Sequence, residues 1–263
     1  MSVPTVGATP DYAIETDGLT RRFGDIFAVD NVTLKIPKGQ LYGFLGLNGA
    51  GKTTTIRMLT TLLPPSAGTA KLWGHDVVKE PLAVRKLVGL VSDETSESQS
   101  TWTAHEYLSY FARVRRMPNP SEEVGRILDD VGLEARFRSK LICTYSTGMK
   151  RRVEIARALM GRPKVLFLDE PTRGLDLPAK RDMWRLLRRL AATENVTTFL
   201  SSHDAQEIRS LCSEISVIAR GRLVHTGATR DMGGDIDAFE ERLVGMLTQS
   251  ESAKSAGLHF RAD

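Results

Sequence analysis

Residues 46–55 read GLNGAGKTTT, and Gly46, Gly51, Lys52 and Thr53 fill every fixed position of the G-x-x-x-x-G-K-[ST] pattern. The chemistry of such a run is phosphate capture. Glycines let successive backbone N–H groups curl around phosphate oxygens, and the start of the following helix adds positive potential. Lys52 is placed to reach the β and γ phosphates, and Thr53 offers a hydroxyl to Mg²⁺. Asn48, Gly49, Ala50, Gly51, Lys52, Thr53 and Thr54 are therefore the expected nucleotide-binding residues. A phosphate loop of this kind needs a carboxylate for the metal at the end of a neighbouring apolar strand, and VLFLDE supplies Asp169 with Glu170 directly after it. Two adjacent acids divide the labour: Asp169 holds the metal's water shell, and Glu170 orients or polarises an attacking water.

Between these motifs lies YSTGMKRRVEIARALMGRP, in which Ser146 and Gly148 stand just before an amphipathic basic helix. A hydroxyl, open backbone amides and a helix dipole there point toward an anion. Taken alone, Ser146 reads more simply as an N-cap that satisfies the first amides of the helix. Beside a phosphate loop, a second anion-seeking helix start implies a site completed by another copy of the chain. His203 follows the apolar run FLSS, a position where a lone histidine is more often a surface or capping residue.

The segments GLNGAGKTT, YSTGMKRRVEIARAL, VLFLDEPTRGLD and FLSSH, in this order and spacing, resemble the nucleotide-binding subunit of ABC transporters. The resemblance runs from about Tyr12 to about Gly227. It implies an ATPase that uses ATP and Mg²⁺ and works as a head-to-tail homodimer with two shared ATP sites. Each ATP would lie between the phosphate loop of one subunit and Ser146–Gly148 of the other. It further implies that Phe23 stacks on adenine and that His203 contacts the γ-phosphate. Lys52 and Glu170 would complete the catalytic set, and Gly174, Leu175 and Asp176 would form the loop that crosses the dimer. Two departures stand out. The signature reads YSTGM where the commonest family form is Leu-Ser-Gly-Gly-Gln, a variant similar to exporters of the ABC-2 type. Where the family places a glutamine that senses Mg²⁺, the strand VGLVS ends in Asp93 and Glu94, so Asp93 joins Thr53 and Asp169 as a candidate metal contact. The segment from about Ser92 to Arg116 corresponds to the family's contact with its membrane subunit; Trp102, Tyr107, Tyr110 and Phe111 give it aromatic anchors, which core packing would explain equally well.

These residues must be held by strands and helices that the pattern also predicts. Short apolar runs at 41–46, 86–92, 164–170, 196–202 and 214–224 alternate with helical patterns at 51–63, 177–193 and 204–213. Tyr12–Pro37 alternates polar and apolar residues, with turns expected near Asp17–Gly18 and Gly24–Asp25. The fold class is α/β: a P-loop NTPase of the ABC-ATPase fold, with a parallel-sheet core, an antiparallel β layer and a helical subdomain. The expected division is a flexible tail over 1–11, one ATPase domain over 12–230 with the helical subdomain at about 95–160, and a C-terminal helix and flexible tail over 231–263, loose from Ser250 onward.

A net charge of +4 permits contact with an anionic surface without requiring it, and nucleic acid is not an expected partner. Cys143 and Cys212 lack metal-ligand spacing and imply a reducing compartment. No apolar run is long enough to span a bilayer, so the chain reads as cytoplasmic, held at the inner face of the membrane through an integral permease subunit. The function expected is ATP hydrolysis that energises transport, in the direction of export, through that separately encoded permease. The alternative, a soluble ABC ATPase acting on ribosomes or DNA, usually requires two cassettes in one chain or a long coiled-coil insertion. Neither is present. A regulatory binder that holds ATP without turnover would be expected to lack Glu170 or His203.

Overall fold

A computed structural model describes residues 12–92, 101–193 and 196–255. Three strands, β3 (Leu41–Leu45), β7 (Val165–Asp169) and β8 (Thr197–Ser202), are buried along their whole length, as strands covered on both faces are, with apolar residues at the centre of each. With β6 (Val88–Val91), β9 (Glu214–Ala219) and β10 (Arg222–Ala228) they form a sheet of order β10-β9-β3-β8-β7-β6. All neighbours pair in parallel except β10, which returns antiparallel along β9. The two-residue side-chain period sends Tyr42, Phe44, Phe167 and Phe199 to one face and Leu41, Leu45, Leu166, Leu168 and Leu200 to the other. On the first face the Phe199 ring lies 5.1 Å from Phe44 and 5.4 Å from Phe167, centroid to centroid.

Against that aromatic face packs a second sheet of order β2-β1-β4-β5, built from β1 (Tyr12–Phe23), β2 (Ile26–Pro37), β4 (Ala67–Leu72) and β5 (His75–Asp76). The other face is covered by helices. These include α3 (Ala104–Val114), α4 (Pro120–Asp130), α5 (Ala135–Arg138), α6 (Thr147–Leu159), α7 (Leu177–Thr193), α8 (Ala205–Leu211) and α9 (Ile236–Ser255). Helix α1 (Lys52–Leu59) follows the glycine loop, and α2 (Pro81–Leu87) precedes β6.

Several expectations are corrected. Asp17–Gly18 is not a turn: β1 continues through it, with Gly18 at φ 58° and a register shift between Thr16 and Leu19 that bends the strand while Ile14 and Leu19 stay buried. The run 214–224 is two strands, reversed at Arg220 and Gly221, whose φ values of 50° and 82° suit a tight hairpin. The first residues of 86–92 belong to α2, and the first helix stops at Leu59, where Thr60 Oγ1 donates to the carbonyl of Ile56 at 2.8 Å. The C-terminal helix α9 runs through Ser255, past the expected break at Ser250. The tail over 1–11 lies outside the described residues.

This topology positions the chemistry. Strands β3, β8 and β7 are adjacent and parallel, with Leu45 opposite Ser202 and Asp169 opposite Ser201. Their carboxyl ends therefore deliver residues 46–51, 203 and 170 to one edge of the sheet, where open α/β sheets place their ligands.

Candidate nucleotide site

The glycine loop leaves β3 with the Gly46 amide donating to the carbonyl of Ser202 at 3.1 Å, and it closes through Ala50 N to Leu47 O at 3.1 Å. Two of its glycines are dictated by packing. A Cβ at Gly46 would lie 2.5 Å from the carbonyl oxygen of Ile218, and one at Gly51 would lie 2.5 Å from that of Ala28; Gly51 also sits at φ 110°. The loop is thus pressed between β9 and β2, and the first turn of α1 carries no acidic residue to oppose an anion.

Lys52 is buried and folds back over the loop. Its Nζ donates to the carbonyls of Gly46 at 2.7 Å and Leu47 at 3.2 Å. It also lies 3.0 Å from Glu170 Oε1. That contact is an ion pair without good hydrogen-bond direction, since Oε1 has no hydrogen-bond partner of its own. Thr53 Oγ1 donates to Asp169 Oδ2 at 2.7 Å, and Ser201 Oγ donates to Asp169 Oδ1 at 2.5 Å, so both carboxylate oxygens of Asp169 are held. Asn48 lines the cleft beyond the loop.

Glu170 follows the last residue of β7 with φ 52°, a left-handed conformation that a non-glycine residue adopts at a cost of about 1–3 kcal/mol. Its amide donates to the Ser201 carbonyl at 3.1 Å, which fixes the turn. The turned side chain meets His203, whose Nδ1 lies 2.7 Å from Glu170 Oε2. A carboxylate oxygen accepts, so Nδ1–H of His203 is the donor in this contact. Glu170 therefore bridges Lys52 and His203 across the ends of the three central strands. The cleft here, of about 290 Å³, is also lined by Arg173, Leu175 and Lys180.

The remaining predicted residues are placed as follows. Ser146 caps α6, its hydroxyl accepting from the Met149 amide at 3.3 Å, and Gly148, expected just before the helix, is its second residue. A Cβ at Gly148 would meet only Ala179 at 3.8 Å and Leu175 at 4.0 Å, ordinary contacts. Neither Ser146 nor Gly148 lines the cleft that holds Glu170 and His203. Asp176 caps α7, accepting from the Ala179 amide at 2.9 Å. Phe23 ends β1 as a half-exposed ring with the Arg21 guanidinium 4.5 Å from its centroid, outside the core. Among the aromatic anchors, Tyr107 is buried while Trp102 and Tyr110 are exposed and meet edge to face at 5.3 Å. Asp93 and Glu94 lie outside the described residues.

Sequence reasoning missed a polar layer beneath the cleft. Ser201 was readable only as one hydroxyl among several in a short buried strand. Asp204 pairs with Lys180 at 2.7 Å; burial alone would push its carboxyl up, but this ion pair and the Glu207 amide outweigh burial and hold it below the ordinary carboxylate range. Burial pushes the Glu207 carboxyl up, against hydrogen bonds from Ser202, Thr172 and Trp184.

Comparison with known proteins agrees with this geometry. Residues 29–173 match the family model described as ABC transporter. The chain is 38% identical over 236 residues to the daunorubicin/doxorubicin resistance ATP-binding protein DrrA of Streptomyces peucetius, covering 89% of this chain and 71% of that one. It is 35% identical over 240 residues to the Nod factor export ATP-binding protein I of Ralstonia nicotianae, covering 89% and 73%. Among solved structures, cbiO1 from Clostridium perfringens, part of the ABC transporter complex cbiONQ, superposes with a TM-score of 0.79 at 26% identity, covering 89% of this chain and 93% of that one. Among the described residues no helix is long and apolar enough to cross a membrane. With a phosphate loop, an acid pair and a histidine gathered on one sheet edge, and with relatives at this level of identity, the chain belongs to the ABC transporter family as an ATP-binding subunit.

Proposed function

We propose that this subunit hydrolyses ATP to drive export through a separately encoded membrane permease, with Glu170 as the group that orients the attacking water. The observation that carries the reading is the Glu170 carboxylate held between Lys52 Nζ at 3.0 Å and His203 Nδ1 at 2.7 Å. Triphosphate oxygens entering the glycine loop compete with Glu170 Oε1 for Lys52. Once Lys52 turns to the phosphates, Glu170 is released from that pair but still braced by His203, and it accepts a hydrogen bond from the water aimed at the γ-phosphorus. Lys52 balances the charge that develops on the transferring group.

Thr53 Oγ1 and Asp169 fit a hard cation, being oxygen donors already in contact at 2.7 Å. Bound there, Mg²⁺ would supply charge neutralisation for the phosphates. Asp93 is proposed as a further contact to that cation's water shell. Phe23 offers a half-exposed face for adenine stacking.

The homodimer reading draws support from Gly148. Packing inside this chain leaves room for a Cβ there, so no contact within the chain requires a glycine beside the α6 N-terminus. A triphosphate on the partner copy, approached by Ser146 Oγ and the first amides of α6, would require that room. Asp176 caps α7 next to the same surface, where it would face the second site. Trp102, Tyr110 and Val114, exposed along and before α3, form the face proposed for the permease, which would hold the subunit at the cytoplasmic side of the membrane.

Glu170→Gln tests the assignment. It should lower phosphate release by about 10²-fold or more, the scale of losing a general base, while ATP still binds. Comparable release from the variant and the unmodified chain would remove Glu170 from this role.

A further inference from the structure

We propose that Glu207 is a positioning residue for hydrolysis, one that sets the Glu170 loop and the His203 loop in mutual register from inside the core. This rests on the assignment of Glu170 and His203 above. Glu207 on α8 is 1% exposed, so its carboxylate must be satisfied by neighbours. Its Oε2 accepts from Ser202 Oγ at 2.6 Å and its Oε1 from Trp184 Nε1 at 3.1 Å, with the Thr172 hydroxyl as a third hydrogen-bond partner.

These three partners come from the three segments that frame the cleft. Ser202 immediately precedes His203, Thr172 stands two residues after Glu170, and Trp184 lies on α7, the helix that Asp176 caps. Both neighbours of His203 are thereby fixed. Ser202 Oγ accepts from the Asp204 amide at 3.0 Å, while Asp204 accepts from the Glu207 amide at 3.0 Å and pairs with Lys180 at 2.7 Å. Lys180 and Trp184 are four residues apart, so one face of α7 is pinned to the histidine loop at two points. A buried carboxylate carries a desolvation cost that an apolar side chain of similar volume would avoid. Donors on the segments that carry Glu170 and His203 and on α7 are what an apolar side chain could not organise.

The test uses the full-length chain and steady-state ATP hydrolysis at varied ATP, with equilibrium ADP binding measured beside it. Glu207→Ala and Ser202→Ala should each lower kcat about tenfold or more, as small misplacements of reacting groups do, with KM for ATP and Kd for ADP unchanged within about twofold. Glu207→Gln keeps a carbonyl for Trp184 and an amide for Ser202 Oγ, and it should restore kcat to within about threefold of the unmodified chain. Unmodified kcat in Glu207→Ala overturns the proposal. So does a joint loss of kcat and ADP affinity that Glu207→Gln fails to rescue, since the carboxylate would then serve the fold alone. Where Glu207→Ala does not fold, Ser202→Ala decides: full kcat in that variant overturns the proposal, and a kcat-only loss supports it. A Glu170→Gln arm run in parallel separates the two layers, because full activity there removes the hydrolytic assignment whatever the Glu207 variants do.

Discussion

Glu170 is the residue on which most of the local geometry converges. Its φ of 52° is a strained conformation held by the Ser201 carbonyl, and it aims one carboxylate at both a lysine and a histidine. Glu170 Oε1 lies 3.0 Å from Lys52 Nζ and partly neutralises it, so the carboxylate would compete with phosphate. Glu170→Gln should therefore tighten ADP binding by a few fold even as hydrolysis falls; isothermal titration with ADP checks it, and an unchanged or weaker Kd would show that the ion pair does not oppose binding. Phe23→Ala should weaken ATP about tenfold, the scale of losing one base–aromatic stack, with GTP measured beside it as a second base. The phosphate loop and the acid pair were legible because each lies within a few consecutive residues. Ser201 and Glu207 were not, because Ser201 meets Asp169 across a sequence separation of 32 and Glu207 meets Trp184 across 23. Only strand register and helix packing bring those partners together.

At the scale of elements, periodicity predicted the long and regular pieces best. LPAKRDMWRLLRRLAAT forms α7 as expected, and the buried runs around β3, β7 and β8 form the centre of the sheet. Strands β4 and β5 and helix α2 received no assignment, because their segments are short and set among turn residues, and tertiary contacts with β1 and β6 decide them. Asp17–Gly18 carries turn chemistry, but the hydrophobic residues on both sides of it are buried on one sheet, and that burial overrides the local preference. The three Phe rings between the sheets give an elemental prediction. Phe199→Ala, at the centre of that stack, should destabilise the chain by about 3–5 kcal/mol in denaturant titration; a loss under about 1 kcal/mol would mean that the stack is not a principal contact. At the other end of the scale, Thr103 makes a capping box with Glu106 at the start of α3. Thr103→Ala should cost about 1 kcal/mol, seen as a shift in the same titration.

For the whole molecule, the proposed function turns on a second copy of the chain. Within a single chain Lys52, Glu170 and His203 meet at one edge of the sheet, whereas Ser146 caps α6 and Gly148 lies in its first turn, away from that cluster. A second copy turned head to tail would bring the Ser146 end of α6 onto the triphosphate seated at Lys52. ATP would then act as the adhesive between copies, and its hydrolysis would release them, which is the motion a permease converts into transport. The most direct test is sedimentation velocity of the Glu170→Gln chain with saturating Mg-ATP, beside the same chain carrying Ser146→Arg. The account predicts a dimer in the first sample and monomer in the second. A Glu170→Gln chain that stays monomeric in Mg-ATP, alone and when reconstituted with its permease, would contradict it.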